Sequence, residues 1–251
     1  MSLVDTHCHI HEANYSLDIG DTLARAHRAG VNQMICVGTS VDSSRKAVTF
    51  ANQHEHIYAS IGVHPHDTKD GYREIDNLDV DNGKIVAVGE IGLDYFYTHS
   101  PREVQITALE WQIDLALKHQ LPIIFHIRDA FDDFWPIFDN FHGLRGVLHS
   151  FTDTNANLSE GLKRELYIGV NGISTFTKDE AQKEMFLTIP MEKMLLETDA
   201  PFLTPVPLRG KINEPAFVRH VAEFQAHVRE VSLDEIAAAT TANARALFAL
   251  S

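Results

Sequence analysis

Short apolar runs alternate along the chain with segments whose apolar residues recur at helical spacing. Most runs are rich in Val, Ile or Leu and apolar at their centres, as expected of strands that are buried on both faces. The runs span residues 3–5, 33–37, 57–62, 85–90, 122–126, 146–149, 166–170 and 194–197. This pattern predicts eight β-strands.

The segments between the runs are predicted to be helices, and several begin at residues that cap helices. Asp18 and Asp42 are acidic N-cap candidates, and Ser100 precedes Pro101 and Glu103 in the arrangement of a capping box. The predicted helices span residues 18–29, 42–52, 100–119, 130–140, 155–164, 178–187, 214–229 and 232–249.

An alternation of strand and helix that repeats eight times predicts a parallel sheet closed on itself. The predicted fold class is therefore α/β, a (β/α)8 TIM barrel with an extra C-terminal helix. The alternative is an open doubly wound sheet, which normally has fewer strands and a Gly-rich phosphate loop after its first strand; the sequence lacks that loop. A length of 251 residues suits one barrel, and no Pro, Gly or Ser linker divides the chain, so we expect a single domain over residues 1–251.

The composition of the chain limits the kinds of partner and the cellular compartment that we expect for it. A net charge of -14 argues against a broad basic face for nucleic acid, although bound divalent cations would make one local site positive. The sequence has no apolar run long enough to span a membrane and no secretory signal, and its two cysteines form no disulfide framework. We therefore expect a cytoplasmic protein with no membrane partner, while the oligomeric state stays open, a monomer included.

Six side chains of metal-ligating type stand at or just after the carboxyl ends of predicted strands. They are His7, His9, Glu90, His126, His149 and Asp199. In a barrel these strand ends form one ring, so residues that are distant in sequence become neighbours. Four imidazoles and two carboxylates suit Zn, Mn, Co or Fe and, less exclusively, Mg.

The six residues divide naturally between two divalent ions. One ion would be held by His7, His9 and Asp199, and the other by His126 and His149, with Glu90 between them. Two ions in such an arrangement can activate a bridging water as hydroxide.

Each candidate ligand also has a structural explanation when it is taken alone. The His7 and His9 imidazoles could form hydrogen bonds only, Glu90 could pair with an arginine such as Arg128, and Asp199 could cap a turn. A single histidine after an apolar strand is more often a packed core residue than a ligand. The joint placement of all six on five strands favours metal binding.

Long motifs in a fixed order carry a family resemblance over nearly the whole chain. They are VDTHCH at 4–9, IGVHPH at 61–66, VGEIGLDY at 88–95, SPREVQ at 100–105, HIRDA at 126–130, ETDAPFLTP at 197–205 and RGKINEP at 209–215. In these motifs the chain resembles the TatD-type metal-dependent deoxyribonucleases of the amidohydrolase-like superfamily. The resemblance implies a (β/α)8 fold, two divalent metal ions and DNase activity that releases nucleotides from DNA 3′ ends, so the expected partner is DNA with single-stranded ends.

Four positions depart from the family's usual pattern, and none of them is a candidate ligand. The family usually has Asp at His11, Ser at Ile127, Gly at Asp153 and a basic or polar residue at Ile212. These positions border the predicted mouth, so they bear on substrate preference. Many amidohydrolase relatives bridge their metals with a carboxylated lysine from strand four, whereas Glu90 supplies a carboxylate directly, which favours the TatD-type branch.

The expected reaction is phosphodiester hydrolysis by a metal-activated hydroxide. Asp199 is expected to orient or deprotonate the attacking water, and Glu90 to bridge the metals. His64 is expected to contact the scissile phosphate or to help protonate the leaving oxygen; the alternative is a packed loop histidine. Glu197 and Asp94 are expected to orient ligand imidazoles, although Asp94 could equally cap the turn that follows it.

Arg128 and Lys211 are candidate clamps for substrate phosphates. The alternative for both cations is an ion pair with a neighbouring acid such as Asp129 or Glu214.

Two other functions stay open at this point. One is a two-metal hydrolase of a small phosphoester, lactone or amide, which the acidic net charge supports. The other is a catalytically silent metal-binding scaffold, against which the complete ligand set argues. Fold alone does not decide between them, because barrels host many chemistries.

Overall fold

The computed structural model describes Ser2–Ser251 and contains eight parallel strands, as predicted. They are β1 (Leu3–Cys8), β2 (Val31–Val37), β3 (Ile57–Ile61), β4 (Ile85–Asp94), β5 (Ile123–Arg128), β6 (Gly146–Leu148), β7 (Tyr167–Val170) and β8 (Met194–Leu196). The order of strands in the sheet is the order in the chain, from β1 to β8. This order and the helices between the strands confirm the predicted (β/α)8 barrel class.

The helices follow the predicted segments closely. They are α1 (Ile19–Arg28), α2 (Val41–Asn52), α3 (Arg102–Lys118), α4 (Phe131–Asp139), α5 (Asn155–Lys163), α6 (Ile173–Phe176), α7 (Glu180–Thr188), α8 (Val218–Arg229) and α9 (Leu233–Phe248). The short α6 was not predicted, and the connection from β3 to β4 carries the 3-10 helices Pro65–Asp70 and Arg73–Asn77. Within Ser2–Ser251, no helix has both the length and the apolar character needed to cross a bilayer.

Residue contacts divide the chain into two compact units. Unit 1 comprises Met1–Cys36 and Ser150–Ser251, and unit 2 comprises Val37–His149. In unit 1, β1 pairs with β2 and also lies beside β8, where the His9 N–H donates to the Ala200 carbonyl at 2.8 Å. In unit 2, β3, β4, β5 and β6 pair in that order. The expected single domain over residues 1–251 stays a prediction.

Of the two predicted acidic N-caps, one is confirmed and the other is wrong. Asp18 caps α1 as predicted, since its carboxylate accepts the N–H of Asp21 at 2.9 Å. The prediction of Asp42 as the cap of α2 is wrong, because Ser40 caps that helix by accepting the N–H of Ser43. Asp42 lies in the first turn instead, where a negative charge still interacts favourably with the helix dipole.

The capping box predicted at Ser100 is also wrong. Pro101 occupies the N-cap position of α3 without a side-chain hydrogen bond. The Ser100 hydroxyl instead donates to the His66 carbonyl at 2.7 Å and accepts the Lys69 N–H at 3.2 Å. Ser100 therefore holds the 3-10 helix Pro65–Asp70, a tertiary use of the side chain that its local sequence does not reveal.

Three candidate ligands lie inside strands, whereas the sequence placed them at or beyond strand ends. His7 lies within β1, Glu90 within β4 and His126 within β5, because each of these strands continues beyond its predicted apolar run. The pairing register shifts between Asp5 and Cys8 in β1 and between Val88 and Ile91 in β4. Register shifts of this kind change the direction of a side chain, and these two coincide with His7 and Glu90.

Candidate metal centre

Unit 1 brings together three predicted ligands, which we call metal set 1: His7, His9 and Asp199. The Nε2 atoms of His7 and His9 lie 3.1 Å apart. The Oδ1 atom of Asp199 lies 3.6 Å from the His7 Nε2 and 3.3 Å from the His9 Nε2. His7 is fully buried and His9 is 8% exposed, so the three groups converge in a place that is nearly closed to solvent.

The spacing in metal set 1 fits a bound cation. Two ligand nitrogens bonded to one ion at about 2.0–2.1 Å lie roughly 3 Å from each other, as these two nitrogens do. A carboxylate oxygen at a similar distance from both supplies the negative charge that a buried divalent ion requires.

Asp5 holds the two segments of metal set 1 together. Its carboxylate accepts the Thr198 N–H at 2.8 Å and the Thr198 hydroxyl at 2.6 Å, and it also accepts the His7 N–H at 3.4 Å. Burial raises the pKa of Asp5 well above its usual value. Asp5 was not predicted to support the site, although an acid within an apolar run next to a His-x-His pair was an available signal.

Unit 2 brings together the other predicted ligands, which we call metal set 2: Glu90, His126 and His149. The Oε1 atom of Glu90 lies 2.8 Å from the His126 Nδ1 and 3.8 Å from the His149 Nε2. His64 joins them, with its Nε2 at 3.6 Å from the same oxygen. The ligand atoms of His64, Glu90 and His126 all lie within 4.8 Å of one another.

A cation also fits metal set 2. Glu90 is only 4% exposed, and a buried carboxylate is costly unless a positive group compensates it. The same carboxylate oxygen lies near imidazole nitrogens of His126 and His149, which can act as acceptors and share an ion with it. Burial and the neighbouring His126 hold the pKa of His64 well below its usual value, so its ring is neutral.

Asp94 supports metal set 2 from behind. Its Oδ2 atom lies 3.1 Å from the His126 Nε2 and 2.9 Å from the His66 Nε2. Its Oδ1 atom accepts the backbone N–H groups of Phe96 and Tyr97, each at 3.0 Å. Asp94 therefore orients an imidazole and also caps the following turn, two roles that the sequence pattern left as alternatives. His66 was not predicted as a site residue, although its spacing from His64 was visible in the sequence.

These contacts shift two pKa values in unit 2. Burial alone would raise the pKa of Asp94, but the hydrogen bond from His126 and the backbone N–H of Tyr97 bring it below its usual value. Burial alone would lower the pKa of His126, but hydrogen bonds to Asp94 and Glu90 raise it above its usual value. The His126 ring is thereby fixed by a carboxylate at each nitrogen.

Glu197 lies in unit 1 and is 1% exposed. Its Oε1 atom accepts the backbone N–H of Ser150 at 2.7 Å. Glu197 therefore fixes the backbone at the start of the segment that follows β6.

The two predicted phosphate clamps lie in different surroundings. The Arg128 guanidinium stacks on the Phe96 ring at 3.9 Å from the centroid. Lys211 lies exposed on a loop whose shape is held by a hydrogen bond of 2.7 Å from the Thr204 hydroxyl to the Lys211 carbonyl. Glu214, one of the acids considered for Lys211, forms a bidentate pair with Arg25 at 2.6–2.8 Å.

Two of the positions that depart from the family pattern have local partners. Burial disfavours the charged form of His11, but interactions with Cys36 and Glu12 raise its pKa to about 9. Asp153 accepts the side-chain N–H of Asn157 at 2.6 Å, at the start of α5.

The family described as TatD related DNase matches the chain over residues 4–249. The uncharacterized metal-dependent hydrolase YabD of Bacillus subtilis is 38% identical over 255 residues, which cover 99% of this chain and 100% of that protein. The 3′-5′ ssDNA/RNA exonuclease TatD of Citrobacter rodentium is 36% identical over 259 residues, which cover 99% of this chain and 98% of that protein.

Solved structures show the same similarity. The TatD homologue YJJV from Escherichia coli K12 is 29% identical and matches with a TM-score of 0.92, over 99% of this chain and 98% of that one.

Proposed function

Since the chain belongs to the TatD-related DNase family of metal-dependent hydrolases, we propose that it hydrolyses phosphodiester bonds at the 3′ ends of single-stranded nucleic acid. The observation that carries the proposal is the buried Glu90 oxygen among three imidazole nitrogens. A relative that is 36% identical and is named as a 3′-5′ ssDNA/RNA exonuclease supports this choice of substrate.

We further propose that the protein binds two divalent ions. Metal set 1 would hold one ion through His7, His9 and Asp199, and metal set 2 the other through Glu90, His126 and His149. Divalent ions bound there supply Lewis-acid polarisation of the phosphoryl group and lower the pKa of water. The nitrogen-rich donor sets favour Zn, Mn, Co or Fe over Mg.

The protein side chains have distinct parts in the proposed reaction. Asp199 orients the attacking water and accepts its proton. The Nδ1 atom of His64 accepts the His66 N–H at 3.2 Å, so the neutral ring carries its hydrogen on Nε2. That N–H is available to bind a phosphoryl oxygen or the leaving oxygen. Arg128 and Lys211 contact neighbouring phosphates.

The first test is hydrolysis of a labelled single-stranded oligonucleotide by metal-stripped protein to which Mg, Mn, Co or Zn is added back. We expect metal-dependent shortening from the 3′ end. His126→Ala should lower kcat by roughly 100-fold or more, because it removes a ligand. His142→Ala is the matched control, since His142 is exposed and lies outside both metal sets, and it should keep full activity.

Intact DNA with every metal, from protein shown to bind two ions, would overturn the nuclease proposal. Hydrolysis of a small activated phosphodiester by that same protein would then favour a small-molecule substrate, which the net charge of -14 also fits.

A further inference from the structure

Four neighbouring side chains of unit 2 form an exposed cluster, and only Arg128 among them has a part in the reaction described above. They are Phe96, Tyr97, His99 and Arg128, which we call the aromatic rim. Phe96 is 54% exposed and Tyr97 is 41% exposed. Two adjacent exposed aromatic side chains form an apolar surface, a feature that often marks a ligand-binding site.

The rim presents flat surfaces in contact with one another. The Arg128 guanidinium lies 3.9 Å from the Phe96 centroid and 5.0 Å from the Tyr97 centroid. The Tyr97 and His99 rings stack at 5.6 Å with an interplanar angle of 17°. Rings and a guanidinium arranged in this way bind planar ligands by stacking.

The rim is continuous with metal set 2. The His66 ring lies 5.3 Å from Tyr97 and 4.7 Å from His99. On its other side, His66 is 4.4 Å from His64, which is 4.3 Å from the candidate ligand His126. A polymeric ligand with one phosphate at metal set 2 can therefore contact the aromatic rim through its neighbouring monomer.

The charge of Arg128 also limits the chemical class of ligand that the aromatic rim would bind. Within Ser2–Ser251, Arg128 forms no ion pair with a carboxylate. It is thus an unpaired positive charge on a protein whose net charge is -14. An unneutralised cation beside stacking surfaces matches a ligand that has both planar rings and negative charges. Nucleotides have both, whereas an acidic peptide offers the charge with few planar groups.

We propose that the aromatic rim is a stacking subsite for the bases of a single-stranded nucleic acid whose phosphate lies at metal set 2. This inference rests on the proposed function and adds the residues that bind the nucleic acid strand beside the scissile bond. Stacking on side chains is tolerant of sequence, because every base has an aromatic face. The subsite would therefore favour unpaired strands without selecting a base.

The test compares Phe96→Ala, Phe96→Trp and wild type on a short 5′-labelled oligothymidylate and on a 5′-labelled oligomer of stable abasic residues, which has phosphodiester bonds but no aromatic ring. Phe96→Ala should raise KM for the oligonucleotide roughly 5- to 100-fold, the range of one stacked base, with kcat changed little. Phe96→Trp should restore KM. Hydrolysis of the abasic oligomer should be the same in all three proteins.

A matched control and a substrate-side test accompany the variants. Leu187→Ala removes another exposed apolar side chain, 47% exposed, from α7 in unit 1 and should leave KM unchanged. Stable abasic residues at the 3′ end of the oligonucleotide should raise KM for wild type as the alanine variant does. In Phe96→Ala the abasic residues should have little additional effect, because both changes remove the same contact.

Two failures can be told apart. Normal cleavage with an unchanged KM in Phe96→Ala, or an abasic effect that simply adds to it, would overturn the stacking subsite and leave the nuclease proposal standing. A wild-type protein that neither cleaves the oligonucleotide nor binds it would overturn both.

Discussion

At the scale of single residues, Asp94 links the chemistry of unit 2 to its loop structure. Its carboxylate is 1% exposed and contacts two imidazoles with one oxygen and two backbone N–H groups with the other. A carboxylate in this position fixes the orientation of a ligand imidazole and raises its basicity. We therefore expect Asp94 to control metal affinity although it is not itself a proposed ligand.

Asp94→Asn keeps the size of the side chain but removes its charge. We expect the affinity of metal set 2 for Zn or Mn to fall roughly 10- to 100-fold, the range found when a group that orients a ligand histidine is changed. Calorimetric metal titration of metal-stripped protein would measure the loss. Asp76→Asn, which removes the acid of the exposed pair with Lys118, is the control and should bind metal as wild type does. Equal affinities in both variants would contradict the role given to Asp94.

The ligand types and their approximate positions were predictable from the sequence, but their supporting partners were not. Each proposed ligand follows an apolar run, and that is a local pattern. Asp5, in contrast, binds Thr198 across 193 residues of sequence, and nothing near Asp5 indicates that partner. Contacts of this kind depend on how distant segments pack, so single-residue patterns do not contain them.

At the scale of secondary structure elements, the centres of the eight strands were predictable and their ends were not. Apolar runs mark the buried centre of a strand, while the continuation of β4 to Asp94 follows the acidic Glu90 and contains Gly92, so the pattern does not predict it as strand. The register shift between Val88 and Ile91 is likewise invisible in composition. Yet this shift lies beside Glu90. The ligand is therefore placed by a local irregularity of the strand that the sequence pattern does not show.

Gly92 sets how closely β4 approaches β5. Its φ of 155° disfavours other residues, and a Cβ atom there would overlap the carbonyl oxygen of His126. Gly92→Ala should destabilise the protein by about 3 kcal/mol through steric overlap and backbone strain. For a chain of this size the unfolding midpoint should then fall by roughly 6–12 °C, which calorimetry measures.

Gly71→Ala is the matched control for that variant. Gly71 also has a positive φ, 113°, but a Cβ atom there would meet nothing within 4 Å. Its cost should stay near 1 kcal/mol, the strain of the backbone alone. Equal losses in the two variants would show that the approach of β4 to β5 is not what Gly92 preserves.

At the scale of the whole molecule, repetition made the fold class predictable. Eight alternations of strand and helix leave few architectures that bury the apolar runs on both faces. The division of residue contacts into two units, one of them built from two separate stretches of chain, has no counterpart in the sequence pattern. Low-complexity linkers would have signalled such a division, and the chain has none.

Removal of metal should destabilise the entire protein. Ions that bind only the folded state add about 2.7 kcal/mol per site at a free concentration near 100 times Kd. We therefore expect a chelator to lower the unfolding midpoint of the metal-loaded protein by at least roughly 5–10 °C. Scanning calorimetry before and after chelation measures the change.

His126→Ala separates the two proposed ions in that experiment. In this variant, chelation should still lower the unfolding midpoint by the amount due to the ion at metal set 1. The further decrease due to the ion at metal set 2 should be lost. A midpoint that chelation leaves unchanged, in protein shown by elemental analysis to carry two ions, would contradict a structural contribution of the metals.

The way Asp94 holds its loop has a consequence for how this protein can diversify. The carboxylate grips residues 96 and 97 by their backbone N–H groups, which every residue except proline possesses. Side chains at these positions are therefore interchangeable without disturbing the anchor. Mutational libraries at Phe96 and Tyr97 should yield folded, metal-binding variants with altered ligand preference, so that new specificities can evolve on an unchanged catalytic scaffold.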